Sequence, residues 1–438
     1  MAIVQTAVRG LLSLVLALSY TGALADEAIK LCVSPIVQVT SSVSIRESPS
    51  THSALVGRLT PGQQVPLAGE VPYWYLVELA GGNIGHVSKR WTDTLDCATS
   101  APVVTSSGAS FELDAIDVGT GLSVFVRGPD FTLLYDAGSN DDLAKGVKNR
   151  VTEYLATVFP DVHKVDHLVL SHPHRDHVEL LADIVRNYHP SDVWDSGAYN
   201  DICGYRDFLR AVAEAPQIEF HNANMTTGNE TVFLASKTCY GNVEPTSQIV
   251  LHHGPRIDTS PIALGGSAKM QFLHIDGAQH SNTNDNSLVL RLELGSHAVM
   301  LMGDAEAGGR ASPSSTPRPT SVEGKLLECC KELMRADVLI VGHHGSMSSS
   351  RRALLDAIGA SYYLVSAGPT KYSSVVLPDQ VVIDELTSRG MVWRTDMDDE
   401  SCKTSETKIG EQNDDKAGGC KNVRVTLNDS GVRAAYFP

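Results

Sequence analysis

From residue 111 onward, short aliphatic runs alternate with amphipathic segments of helix length, and this alternation restricts the fold more than any other feature. Strands are expected at FELDAIDVG, GLSVFVRG, FTLLYDAG, HLVLSH, SLVLRLEL, HAVMLMGD, VLIVGHH and SYYLVSAG. Helices are expected at VELLADIVRNY, CGYRDFLRAVAEA, EGKLLECCKELMRA, RRALLDAI and DQVVIDELTSRG. Aliphatic strands interleaved with amphipathic helices predict a layered α/β domain, its sheet flanked by helices. Two polar stretches, 308–324 and 397–420, read as surface loops, and no repeat period is present.

One of these strands runs into SHPHRDH, which places His172, His174, Asp176 and His177 between a strand and a helix. A loop at a strand end holds side chains rigidly and leaves them open to solvent, as a catalytic metal site requires. Neutral imidazoles suit zinc, manganese or iron, and a carboxylate lets a second cation join. Spaced this way, His172 and His174 can serve one ion, and Asp176 and His177 another. Two later strand ends add to the set. Asp304 follows HAVMLMG and can bridge two cations through its two oxygens. His343 and His344 follow VLIVG. Any one of these features alone reads as a polar turn or helix cap; three strand-end clusters in one domain point to metal.

The N-terminal part is organised differently. Arg9, the apolar run Leu11–Leu18 and the small residues Ala23–Ala25 read as a signal peptide over 1–25. Export to the periplasm or beyond is therefore expected. That run is too short to span a bilayer and no other stretch reaches about 18 apolar residues, so no stable membrane insertion is expected. Between residues 31 and 97, short β-rich pieces separated by turn residues predict a small all-β barrel. A small, polar, proline-interrupted linker is expected over 98–110, and the second domain over 111–438. The formal charge of −16 argues against a broad electrostatic grip on duplex nucleic acid. The eight cysteines suit disulfides in an oxidising compartment, with Cys32–Cys97, Cys402–Cys420 and Cys203–Cys239 as candidate pairs. Adjacent Cys329 and Cys330 bridge only with strain, so they are expected to stay free or take other partners. The oligomeric state is open.

The first domain resembles a bacterial SH3-like domain through VSIRESPSTHSALVGRLTPGQQV, WYLVEL and GHVSKRW. It departs at Glu47-Ser48, where the family often has a glycine-containing turn, and at His86, where a tryptophan is frequent. The resemblance implies binding to cell-wall peptide or glycan; the alternative is a packing module without a ligand. The second domain resembles the metallo-β-lactamase fold superfamily, closest to the ComEC-like competence hydrolase domain. The resemblance rests on HxHxDH, GDAE and VGHHGS, with IDVGTGLSVFVRGPDFTLLYDAGS, NDNSLVLRLE, SAGPTKYSS and VWRTD. It implies a four-layer αββα sandwich and a dinuclear site holding two divalent ions, zinc or manganese. Carried over, the ligands are His172, His174, Asp176, His177, Asp304 and His343, with His344 as the neighbouring alternative. Asp136 in LLYDAG becomes a supporting residue, and Asp117 in DVG a structural one.

Two departures from the family pattern stand out. The third histidine of the first metal is replaced by AQHSNTNDNS, which offers His280 early and Asn284, Asp285 and Asn286 nearer the strand. A family His-Pro is replaced by Leu377-Pro378, with Lys371 and Tyr372 upstream; Lys371 is a candidate contact for a phosphate oxygen. The expected activity is phosphodiester hydrolysis, with Asp176 orienting the attacking water and accepting its proton. Two alternatives are hydrolysis of a small ester, lactone or β-lactam, and a non-catalytic cell-wall-binding protein.

Overall fold

The aliphatic runs of the second domain pair into two sheets laid face to face. The computed structural model describes residues 31–437 except 37, 38, 40, 41, 51, 52, 62, 80–83, 98–108, 143, 404, 406, 407 and 411–415. The expected signal peptide and most of the expected linker lie outside the described residues. The described strands fall into two compact units, the first ending with Thr92–Asp96 and the second beginning with Phe111–Ala115.

The first unit is an antiparallel seven-stranded sheet. Its side chains alternate, as in Val43–Arg46, where Val43 and Ile45 are buried and their neighbours half-buried. The inward set, Val33, Val43, Ile45, Leu59, Val77 and Val87, forms a small core. So few large side chains give little apolar burial, and the Cys32–Cys97 disulfide ties the first strand to the end of the unit.

In the second unit one sheet has ten strands and the other seven. The centre of the ten-stranded sheet is parallel, running through Thr132–Ala137, His167–Leu170, Asp192–Asp195 and Glu219–His221. The seven-stranded sheet contains His297–Leu301, Val338–Ile340, Tyr362–Val365 and Met391–Arg394 in parallel. Side chains from both inner faces, among them Val124, Leu133, Val169, Phe272, Leu292 and Ile340, form the central core. Helices Arg150–Val158, Leu181–Tyr188 and Cys203–Ala213 bury an apolar face on the outside of the larger sheet. Helices Val322–Cys329, Arg352–Ile358 and Gln380–Thr387 cover the smaller one. The architecture is therefore αββα.

Several elements depart from the expected ones. The helix expected over VELLADIVRNY begins only at Leu181 and runs to Tyr188, and a separate short helix, Arg175–Val178, forms just before it. EGKLLECCKELMRA is broken, the helix ending at Cys329. At that end Cys330 leaves the helical conformation and bonds to Cys329. This corrects the expectation that the adjacent cysteines stay free or find other partners: the other three pairs are Cys32–Cys97, Cys203–Cys239 and Cys402–Cys420, and no cysteine is free. Four disulfides mark an oxidising, extracytoplasmic environment. Among the described residues no helix is long and apolar enough to cross a membrane, which says nothing of a β-barrel.

Candidate metal centre

The clustered histidines and acids sit on segments that leave the carboxyl ends of parallel strands, Asp176 and His177 on the short helix Arg175–Val178. His172 follows the strand His167–Leu170, and Asp304 follows His297–Leu301. The pair His343–His344 follows Val338–Ile340. Parallel strands end at one edge of the sandwich, so segments distant in sequence deliver their side chains to one place. Close approach is enforced by Gly138, where a Cβ would lie 2.1 Å from the backbone nitrogen of His177. Three residues of the site, Asp136, His343 and His344, have φ of 59°, 50° and 52°. Each such left-handed non-glycine conformation costs on the order of 1–3 kcal/mol and persists only where surrounding structure holds it.

Asp304 is the hub. Its Oδ1 lies 3.2 Å from His177 Nε2 and 3.6 Å from His344 Nε2. Its Oδ2 lies 3.8 Å from both His172 Nε2 and His343 Nε2. Asp176 Oδ2 is 3.6 Å from His344 Nε2, and His174 Nδ1 is 3.0 Å from His172 Nε2. Within this centre two groups of donors are close enough to hold an ion, His172–His177–Asp304 and Asp176–His177–His344, all buried.

The remaining ring nitrogens are held from behind. His177 Nδ1 is 2.8 Å from Asp136 Oδ2, and Asp136 also accepts from the backbone and hydroxyl of Ser171. His344 Nδ1 donates to the carbonyl of Ser366 at 2.8 Å. His343 Nδ1 faces Glu306 at 3.0 Å and Ser348 Oγ at 2.7 Å. In each case holding Nδ1 would leave Nε2 as the nitrogen that faces a bound metal.

Electrostatics favour positive charge at this place. Burial pushes the Asp304 and Asp176 carboxyls up, yet the imidazoles around them, His177 and His344 above all, hold both below the usual carboxylate range. Burial pulls His177 down, and Asp304 and Asp136 together hold it well above the ordinary imidazole value. His172 lies well below that value through burial and the neighbouring His177. His177 Nε2, His344 Nε2 and Asp304 Oδ1 are buried and make no hydrogen bond. Unpartnered buried donors and acceptors are costly, and a shared cation satisfies all three at once. The residues therefore fit divalent metal.

The other sequence candidates lie around this centre. Asn284 is buried with its amide 3.4 Å from His343 Nε2. Asn286 is buried and donates to the carbonyls of Asp276 and Ala278. His280 joins neither group and pairs with Asp276 at 3.1 Å. Lys371 is exposed on the short strand Lys371–Tyr372. Asp117 is buried and accepts from the backbone of Cys420 and Lys421, a structural role. Two residues have roles in the centre that the sequence pattern does not signal. Glu306, in the GDAE motif itself, supports His343 and accepts from Asn282. The Tyr372 hydroxyl donates to Asp176 Oδ2 and accepts from Asn140 at 3.4 Å; no spacing ties residue 372 to residue 176.

A family profile described as Metallo-beta-lactamase superfamily matches residues 116–368, and one described as Bacterial SH3 domain matches residues 41–93. The chain is 24% identical over 283 residues to the competence protein ComA of Neisseria gonorrhoeae, covering 64% of this chain and 30% of that protein. It is 22% identical over 285 residues to recombination protein 2 of Haemophilus influenzae, covering 64% and 27%. The match thus spans less than a third of either relative's length. Among solved structures, the metallo-beta-lactamase fold protein YhfI of Bacillus subtilis is 15% identical at a TM-score of 0.37, covering 66% of this chain and 97% of its own. Igni18, a metallo hydrolase of Ignicoccus hospitalis, is 13% identical at a TM-score of 0.36, covering 72% and 98%.

Proposed function

This chain belongs to the metallo-β-lactamase superfamily and is a metal-dependent hydrolase with an N-terminal bacterial SH3 domain, and we propose that it cleaves phosphodiester bonds at a two-metal centre. The observation that carries the two-metal reading is the division of histidines between the oxygens of Asp304. His172 and His343 face Oδ2, and His177 and His344 face Oδ1. His172, His174, His343 and Asp304 would hold one cation; Asp176, His177, His344 and Asp304 would hold the other, His177 being within reach of both and given to the second because it stands on Oδ1. On this assignment His343 takes the place left by the missing upstream histidine. Zinc or manganese suits this nitrogen and oxygen donor set.

When bound, two such cations lower the pKa of water towards neutrality and offset charge developing on substrate oxygens. The protein's own groups do the rest. Asp176, held in position by the Tyr372 hydroxyl, orients the attacking water and takes its proton. The ring-holding contacts from Asp136, Ser366, Glu306 and Ser348 keep each imidazole in one orientation, so little reorganisation accompanies reaction. Lys371, exposed beside Tyr372, would meet a phosphate oxygen.

Support for phosphodiester chemistry comes from the charge balance and the relatives. Two divalent cations would offset the charge of Asp176, Asp304, Asp136 and Glu306, so that an otherwise acidic site could accept an anionic substrate. Relatives named for competence and recombination bring nucleic acid forward as the substrate class. The overall −16 favours short or single-stranded substrate over duplex. Export by the N-terminal signal and cell-wall attachment through the SH3 domain complete the proposal.

The test is to assay purified protein with Mn²⁺ or Zn²⁺ on bis(p-nitrophenyl) phosphate, single-stranded DNA and nitrocefin, beside His172→Ala. Turnover of the first two, lost in the variant, is expected. Turnover of nitrocefin alone would replace phosphodiester chemistry with β-lactam or ester hydrolysis.

A further inference from the structure

We infer that Asp192, Glu219 and His221, with His167 beside Asp192, form an additional zinc site, separate from the catalytic centre. The sheet register brings them together. His167 pairs with Asp192, and Asp192 with Glu219, on three consecutive parallel strands. These three residues share one rung and so one face of the sheet. His221 lies two residues after Glu219 and points the same way, since side chains of a strand alternate. The shared face is the inner one: Trp194, two residues beyond Asp192, belongs to the central core and stacks on His221 at 4.0 Å. The catalytic loop begins at the opposite end of the strand His167–Leu170, so the two sites are separated by the strand's length.

The distances suit one ion. His221 Nε2 lies 3.0 Å from Asp192 Oδ1 and 3.9 Å from Glu219 Oε2. His167 Nδ1 lies 3.4 Å from Asp192 Oδ2. Donors about 2.0–2.1 Å from a tetrahedral zinc stand about 3.3 Å apart, so Asp192, Glu219 and His221 are close enough to share one ion, and a turn of the His167 ring would bring a fourth donor. The His221 tautomer adds a second argument. Its Nδ1 faces the Pro255 carbonyl at 2.8 Å, a group that only accepts, so Nδ1 carries the proton. In a neutral ring Nε2 then presents a lone pair to two carboxylates, which is repulsive unless a cation lies between them. Ring N–H donation to a backbone carbonyl with the other nitrogen on the ion is how metal-binding histidines are oriented. His167 Nδ1 is also buried and makes no hydrogen bond.

Among the described residues no lysine or arginine pairs with Asp192 or Glu219, whose charged partners are these two histidines. Glu219 is largely exposed and Asp192 partly so, which leaves a path for the ion, whereas the His221 ring is buried. Two imidazoles and two carboxylates select zinc over the harder calcium and magnesium. Bound there, the ion would cross-link three strands at the end of the sheet away from the chemistry.

The rival is a doubly protonated His221 paired with Asp192. Equilibrium dialysis of the full chain against Zn²⁺, with metal counted by mass spectrometry, separates the two. The wild type should retain one zinc more than Asp192→Asn or His221→Gln, while phosphodiesterase rates stay within about twofold. Equal zinc counts in wild type and folded variants overturn the inference. If the variants do not fold, anomalous diffraction at the zinc edge from wild-type crystals decides: a peak among the four side chains supports the site, and its absence at full occupancy of the catalytic ions rejects it.

Discussion

His343 and His344 are adjacent in sequence and stand on opposite oxygens of one carboxylate, His343 Nε2 at 3.8 Å from Asp304 Oδ2 and His344 Nε2 at 3.6 Å from Asp304 Oδ1. Consecutive left-handed residues make this possible, because they turn the backbone sharply enough to send neighbouring side chains to two sides of Asp304. On the proposed two-metal assignment each imidazole would belong to a different cation. His343→Ala and His344→Ala should each lose close to one metal equivalent, and each should reduce kcat/KM by at least about a hundredfold. Metal counting after desalting checks this. A His344→Ala protein that keeps both ions would remove His344 from the ligand set.

The Asp136–His177 contact, 2.8 Å between buried groups, sets which nitrogen of His177 faces inward. Replacing Asp136 with Asn keeps the shape and removes the charge that holds the Nδ1 proton. Metal affinity should fall about 10–100-fold, as for other supports of metal-bound histidine. Competition with a chromogenic chelator measures it, and raising the metal concentration should restore most of the rate. An unchanged affinity would show that Ser171 alone holds the ring.

How much of this was readable beforehand depended on whether contacts are local. His172, His174, Asp176 and His177 lie within six residues, so one loop suffices and the sequence shows it. The choice between His343 and His344 was not readable, because it rests on backbone dihedrals rather than on residue type. The Tyr372–Asp176 contact joins positions 196 apart, and only the assembled strands create it. The same holds for the hairpin Asn422–Asn428 with Gly431–Phe437, which extends the larger sheet beside Phe111–Ala115 after more than 300 intervening residues. Its alternating pattern is that of a strand, but its neighbour is set by topology. The rung of His167, Asp192 and Glu219 was equally invisible, since each residue only opens its own strand.

Tyr372 should act through Asp176. Burial and the Asp176 charge push its hydroxyl well above the ordinary tyrosine value, so it remains a donor across the working pH range. Tyr372→Phe removes that donor. Hydrogen bonds to charged groups contribute about 1.5–3 kcal/mol, so kcat/KM should fall roughly ten- to a hundredfold. Without the donor the Asp176 carboxylate binds a proton more readily, so the acid limb of the pH–rate profile should move to higher pH. Metal content should stay as in the wild type. A variant with lower rate and an unmoved acid limb would assign Tyr372 to substrate contact instead.

Asp195 gives the chain a pH-dependent stability separate from catalysis. It is buried at the end of Asp192–Asp195, and burial pushes its carboxyl up to about 7 against the pull of the Gly197 backbone N–H. The folded state thus holds this proton more tightly than the unfolded chain, where an aspartate titrates near 3.9. The contribution to stability is complete below about pH 4 and is lost as pH rises through about 7, the reverse of a salt-bridged aspartate. A shift of about three units sets a ceiling on the order of 4 kcal/mol. Asp195→Asn keeps the amide in place of the neutral acid and removes the titration. Urea midpoints of wild type and variant at fixed metal concentration should therefore diverge between pH 5 and 8, with the variant less sensitive to rising pH. Parallel midpoints across that range would show that Asp195 is ionised in the folded protein.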